Sequence, residues 1–137
     1  MNLSFFEELK DEYLQKPQGK GVFLAGVVLG FVAQNQGGSD REIKNTPLFK
    51  QIEFGRLDMK NLKKLMSRVP KLLAAYSENI KAPHLVSALM AESGRLMLMG
   101  EGKELGAEGN FAFTVGFGNA TSYFWRIFKK ENEKGEE

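Results

Sequence analysis

Residues 21–33 read GVFLAGVVLGFVA, and this uninterrupted apolar stretch decides the fold. A helix formed here is apolar on every side, which is typical of a helix buried all round inside a protein. A helix that crosses a bilayer needs about 20 such residues, so this stretch is too short for a membrane span. We therefore predict a buried central helix over residues 20–35.

Glycines four residues apart mark the place where this helix meets a partner. Gly26 and Gly30 lie inside the central helix, and Gly116 and Ala120 repeat the same spacing near the end of the chain. A glycine inside a helix costs about 1 kcal/mol relative to alanine, so its presence needs an offsetting reason. Small residues at this spacing let two helix backbones approach closely. We predict that the two helices cross at these glycines.

Cap residues, prolines and glycines divide the rest of the chain into further helices. Ser4 and Glu7 form a capping box, Thr46-Pro47 and Asp58 are helix starts, and Val69-Pro70 interrupts a helix. The predicted helices cover residues 4–15, 46–52, 59–68, 71–79, 83–99 and 107–130, with a polar loop over 37–45. The predicted fold is all-α, a compact bundle of five to seven helices. Residues 1–130 form one domain, and 131–137 form a charged, frayed tail.

Composition argues against most enzyme classes. The chain has 137 residues, the size of one domain, with no cysteine and a single histidine, His84. Thiol nucleophiles, zinc ribbons and multi-histidine metal sites are thereby excluded within one chain. We expect no catalytic activity, no metal and no cofactor. The absence of cysteine and of a signal peptide favours a cytoplasmic location.

Charge is concentrated in the middle of the chain. Residues 1–40 carry three lysines against five acids (−2), and residues 41–81 carry ten basic residues against four acids (+6). Residues 82–137 carry six basic residues against eight acids (−2), which restores the net charge of +2. A basic middle between acidic ends suggests one surface that binds a polyanion.

Most of that surface lies on the segment 60–76, which covers the helix predicted over 59–68 and most of the one predicted over 71–79, and Lys50 and Arg56 extend it. At about 100° per residue its leucines fall on one side and its cations on the other, with no acid between residues 59 and 76. Like charges one helical turn apart destabilise a helix, so this arrangement suggests an external anion. The candidate nucleic-acid-binding residues, called the lysine face below, are Lys60, Lys63, Lys64, Arg68, Lys71, Lys50 and Arg56.

Lysines contact phosphates as point charges and read no base sequence, so the expected binding is sequence-independent and weakened by salt. Two other interpretations of the lysine face are an ordinary solvated surface and a membrane-surface contact. Trp125, beside Tyr123 and Phe124, could offer a surface on which bases stack, but its helical spacing favours core packing or a contact with another subunit.

Several segments together resemble a known family. They are 23–36, the Thr46-Pro47-Leu48-Phe49 run, the Leu57-Asp58-Met59-Lys60 run followed by Leu62 and Leu65, 71–76, and 108–117. This order resembles the C-terminal helical domain of the large subunit of type I-B CRISPR interference complexes (Cascade). In that family the same segment is also made as a separate small subunit by internal translation, and a start at Met1 just before the first helix fits such a subunit.

The resemblance implies a non-catalytic small subunit that stabilises the R-loop formed by guide RNA and target DNA. The implied partners are other copies of the chain, the Cascade backbone and large subunits, the guide RNA, and the target or displaced DNA strand. No membrane is implied. The alternative is a purely structural helical adaptor that docks onto partner subunits through exposed apolar surface. The weakly positive net charge leaves room for that alternative.

Overall fold

The computed structural model describes residues 1–36, 44, 46–100 and 104–136, with side chains up to residue 128. These residues form helices and turns and no strand, which confirms the all-α prediction. The α-helices are α1 (Pro17–Gln36), α2 (Pro47–Lys50), α3 (Met59–Ser67), α4 (Val69–Ala75), α5 (Pro83–Met99), α6 (Gly106–Gly118) and α7 (Ala120–Glu136). Most of the predicted loop over 37–45 lies outside the described residues, and the tail prediction for 131–137 stays untested.

Helix α1 is the buried centre of the bundle, as predicted. Every residue from Gly21 to Ala33 is buried, and α1 packs chiefly against α5 and α6 and also against α7. It begins at Pro17 rather than near residue 20, because proline is well tolerated in the first turn of a helix. Ser93 of α5 donates a 2.7 Å hydrogen bond to the Gly21 carbonyl and ties the two helices together.

The predicted crossing of α1 and α6 at glycines is confirmed. A Cβ added to Gly26 would collide with the carbonyl oxygen of Phe113, and one added to Gly116 would collide with that of Phe23. A Cβ on Gly30 would lie 2.5 Å from the Phe117 carbonyl oxygen. The two helix backbones are therefore in direct contact. A side chain at any of these three positions would prevent that contact.

The single helix predicted over residues 4–15 is wrong. Two short 3₁₀ helices, Ser4–Glu8 and Tyr13–Gln15, stand in its place. The Gln15 amide donates to the carbonyls of Phe6 (2.7 Å) and Leu9 (2.6 Å), so the segment closes on itself instead of extending as an α-helix. The expected capping box is also absent, because the Ser4 N–H binds the Asn2 side chain at 3.0 Å.

The long helix predicted over 107–130 is divided in two. Asn119 leaves the helical conformation between α6 and α7, and its amide donates to the Val115 carbonyl at 2.9 Å. Because of the bend, α7 packs against α1. The ring of Phe124 in α7 stacks on that of Phe31 in α1, with centroids 3.8 Å apart. Gly118 and Asn119 are both weak helix formers, so interrupting the helix here costs little free energy.

Candidate nucleic-acid interface

The lysine face is built on α2, α3, α4 and the connections between them, and side-chain caps start two of these helices. The Asp58 carboxylate accepts a 2.7 Å hydrogen bond from the Asn61 N–H, and the Thr46 hydroxyl accepts one of 3.4 Å from the Phe49 N–H. Such caps satisfy backbone donors that otherwise have no partner at a helix start. Both caps were predicted from the sequence, and they fix where the cationic helices begin.

The amphipathic pattern of α3 is confirmed. Leu62, Leu65 and Met66 are buried against the core, whereas Lys60 and Lys64 of the same helix are exposed. The apolar side of α3 is therefore occupied by the protein itself and is not free to insert into a lipid surface. None of the described helices has the length and apolar character needed to span a membrane.

All seven cations of the lysine face are exposed. Within the described part of the chain, none of them takes part in an ion pair, whereas Arg95 pairs with Glu92 at 2.7 Å and Arg126 with Glu8 at 2.6 Å elsewhere. Five of the seven lie on 60–71, a span of three helical turns. No ion pair with a described carboxylate therefore offsets their mutual repulsion.

Two shallow grooves bring part of the lysine face together. Lys64 and Arg68 line the first basic groove, of about 300 Å³, with Asn61 and Gln51. Arg68 and Lys71 line the second basic groove, of about 260 Å³, again with Gln51. The restart of the helix at Val69 places Lys71 beside α2, so the two grooves meet at Arg68 and Gln51.

Arg68 and Gln51 are directly linked. The Arg68 guanidinium donates a hydrogen bond to the Gln51 side-chain carbonyl, across 17 positions of sequence. This contact orients the guanidinium over the junction of the two grooves. Gln51 was not predicted from the sequence, because no local pattern around it indicates a contact with a residue as distant in sequence as Arg68. Glu53 also lines the first basic groove and contributes its one carboxylate.

The structure does not bring every predicted cation to these grooves. Lys63 points to the other side of α3, where it borders an apolar groove of about 310 Å³ with Met66, Met90 and Leu98. This region is called the methionine groove below. Lys50, Arg56 and Lys60 are exposed but line neither basic groove.

A family model matches residues 2–131 of the chain, and its description is "CRISPR-associated protein TM1802 (cas_TM1802) C-terminal domain". The chain belongs to this family. The match covers nearly the whole sequence and confirms the expected CRISPR association. It names neither a CRISPR subtype nor a subunit role. Searches of curated proteins and of solved structures found no significant match.

In this CRISPR-associated chain, Trp125 lies at the edge of the core. Its ring is perpendicular to Phe124, with centroids 5.0 Å apart, and nearly perpendicular to Phe31 at 5.9 Å. Both phenylalanines are buried, whereas Trp125 is partly exposed. The packing predicted for Trp125 is therefore present, and part of the indole remains accessible. His84 is exposed in the first turn of α5.

Proposed function

We propose that the chain is a non-catalytic small subunit of a type I CRISPR RNA-guided interference complex (Cascade), of subtype I-B. In this role it binds nucleic-acid backbone without sequence preference and stabilises the R-loop of guide RNA and target DNA in the cytoplasm. The lysine face carries the proposal, because a member of a CRISPR-associated family displays seven exposed cations without described ion-pair partners.

The geometry supports contact with a phosphate backbone. Lys64, Arg68 and Lys71 line two adjoining grooves, so several cations can face successive phosphates of one strand. Bound phosphates would relieve the repulsion among these cations, which is about 0.2–0.5 kcal/mol for each like-charged pair one turn apart. Lysine and arginine contacts to phosphates position a strand and carry no sequence information directly.

The proposal implies a set of partners. They are other copies of the chain, the backbone and large subunits of the complex, the guide RNA, and the target or displaced DNA strand. In such an assembly each copy would add a few phosphate contacts, and the copies together would hold the separated strands. Cations that bind the separated strands more tightly than the duplex favour the open R-loop over the reannealed duplex.

The test is fluorescence anisotropy of labelled single-stranded DNA, duplex DNA and RNA at about 50 and 200 mM salt. With about five phosphates neutralised, the affinity for a single strand should fall roughly 100-fold over this range. Oligonucleotides of equal length and different sequence should bind alike. Binding that depends on base sequence, or no binding at low salt by a folded protein, would contradict the proposal.

Charge-reversal variants locate the contact. Lys64→Glu/Lys71→Glu should weaken strand binding strongly, because both side chains line the basic grooves. Lys10→Glu/Lys16→Glu is the matched control, since it makes the same −4 change in net charge at exposed positions near the N-terminus. An equal loss in both variants would show that net charge alone governs binding, and the lysine face would lose its role.

A second function, that of a structural adaptor, is favoured by a different observation. Leu98 is 82% exposed, Phe111 67% and Met99 58%, although each is a large apolar side chain. Leu98 also borders the methionine groove. A contiguous apolar patch marks a surface that binds another protein, and Leu98 together with the apolar lining of this groove forms such a patch.

A further inference from the structure

A groove of about 410 Å³, called the tryptophan groove here, opens between the end of α1, the connection from α4 to α5, and α7. It is separate from both basic grooves and shares no lining residue with them. Trp125 and Phe31 form its aromatic part, and side chains with hydrogen-bonding groups form the rest.

The aromatic part is rigid. Phe31 and Phe124 stack in the core with centroids 3.8 Å apart, and both hold the Trp125 ring at about a right angle. Within the described residues, the indole N–H of Trp125 makes no hydrogen bond. This N–H is nevertheless not a buried polar atom left without a partner. A partly exposed aromatic ring in a fixed orientation can stack with a planar ligand at a small entropic cost.

The polar rim carries free hydrogen-bonding groups. Gln34 and Asn79 are exposed, and their amide side chains make no hydrogen bond to any other residue that the structure describes. Asn35, in contrast, is fixed, because it donates to the Phe31 carbonyl at 2.7 Å and accepts from the Lys81 N–H at 3.3 Å. Each free amide offers both donors and an acceptor, which is what the edge of a nucleobase requires.

Charge at the rim also fits a nucleotide. Lys81 is an exposed cation at the rim and can contact the phosphate next to a bound base. Glu78 is the carboxylate at the same rim, and a carboxylate accepts hydrogen bonds from base N–H groups. Unpaired bases are commonly recognised in this way, by stacking on an aromatic side chain and hydrogen bonds along their edges.

We propose that the tryptophan groove binds one unpaired nucleobase of a single strand, which stacks on Trp125 and hydrogen-bonds to Gln34 and Asn79. The proposal rests on the proposed nucleic-acid function and adds a second contact to it. Gln36, two residues after Gln34 on α1, lines the second basic groove. The grooves therefore open on opposite sides of the end of one helix, which is about 10–12 Å across, and one strand can reach both.

The chain contains a single tryptophan, so its fluorescence reports on this groove alone. The experiment titrates the protein with two labelled single strands of equal length, one with bases and one with a fully abasic backbone. Anisotropy measures binding, and tryptophan emission measures stacking. The base-bearing strand should quench the emission and bind at least about fivefold more tightly than the abasic strand.

A variant pair supplies the control. Gln34→Ala/Asn79→Ala should weaken binding of the base-bearing strand several-fold and leave the abasic strand unaffected. Ser122→Ala, at an exposed position of α7 outside this groove, should change neither. Equal binding of both strands without quenching would overturn the base site and leave the lysine-face function standing. Failure of both strands to bind would overturn both proposals.

Discussion

At the scale of single residues, the glycines of α1 and α6 allow the backbones of these two helices to touch. Gly26 and Gly116 each lie against a backbone carbonyl of the opposite helix. A backbone atom cannot rotate away as the end of a side chain can, so a methyl group here must push the helices apart. This explains why two helices tolerate glycines that are unfavourable for helix formation by themselves.

Gly26→Ala should therefore lower the free energy of unfolding by about 1–3 kcal/mol or more, because it overpacks the contact between α1 and α6. Gly94→Ala is the matched control inside α5, where an added Cβ meets nothing within 4 Å. There the substitution should raise stability by about 0.5–1 kcal/mol. Urea unfolding followed by circular dichroism measures both, and changes of equal size and sign would contradict the crossing.

At the scale of elements, one buried asparagine attaches the lysine-face helices to the core. The Asn110 side chain of α6 accepts from the Leu57 N–H at 2.8 Å and donates to the Leu57 carbonyl at 3.0 Å. It also donates to the Gly106 carbonyl at 2.8 Å. Leu57 directly precedes the cap residue of α3, so this contact fixes where the cationic helix begins.

Asn110→Ala should lower the free energy of unfolding by roughly 2–4 kcal/mol, because it leaves the buried N–H and carbonyl of Leu57 without partners. Asn119→Ala provides a comparison, since Asn119 is exposed and its amide binds only within its own helix end. That variant should cost less than about 1 kcal/mol. A similar loss in both variants would show that the bridge to Leu57 adds nothing specific.

The elements that the sequence predicted well are those with local signals. Thr46-Pro47, Asp58 and Pro83 mark starts that the structure reproduces within one residue. The helix predictions that were wrong concern segments shaped by contacts beyond the local sequence pattern. Gln15 closes the N-terminal segment on itself, and packing of α7 against α1 accompanies the bend at Asn119. Periodicity along one segment contains no information about such contacts.

The same distinction applies to the candidate site. The helical wheel predicted which cations are exposed, because exposure follows from position around one helix. It did not predict that Lys63 borders the methionine groove while Lys64 and Lys71 line the basic grooves, since the grooves are formed jointly with α1, α2 and α5. The bridge between Arg68 and Gln51 depends on the same tertiary arrangement.

At the scale of the whole molecule, two kinds of exposed surface suit two kinds of partner. The basic grooves suit a polyanion, and the exposed Leu98 and Phe111 suit the apolar surface of another subunit. Neither Leu98 nor Phe111 lines a basic groove, and neither carries charge. Strand binding and subunit docking should therefore respond to different substitutions.

Leu98→Ser/Phe111→Ser tests this separation. The variant should bind single strands within about twofold of the unmodified chain, because exposed neutral substitutions outside the grooves change little. It should co-purify poorly with the subunits of the effector complex, because burying each large apolar side chain contributes about 1.5–3 kcal/mol to an interface. Lys64→Glu/Lys71→Glu should show the reverse, with co-purification kept and strand binding lost. If the apolar variant stays in the complex as well as the unmodified chain does, these side chains are not its docking surface.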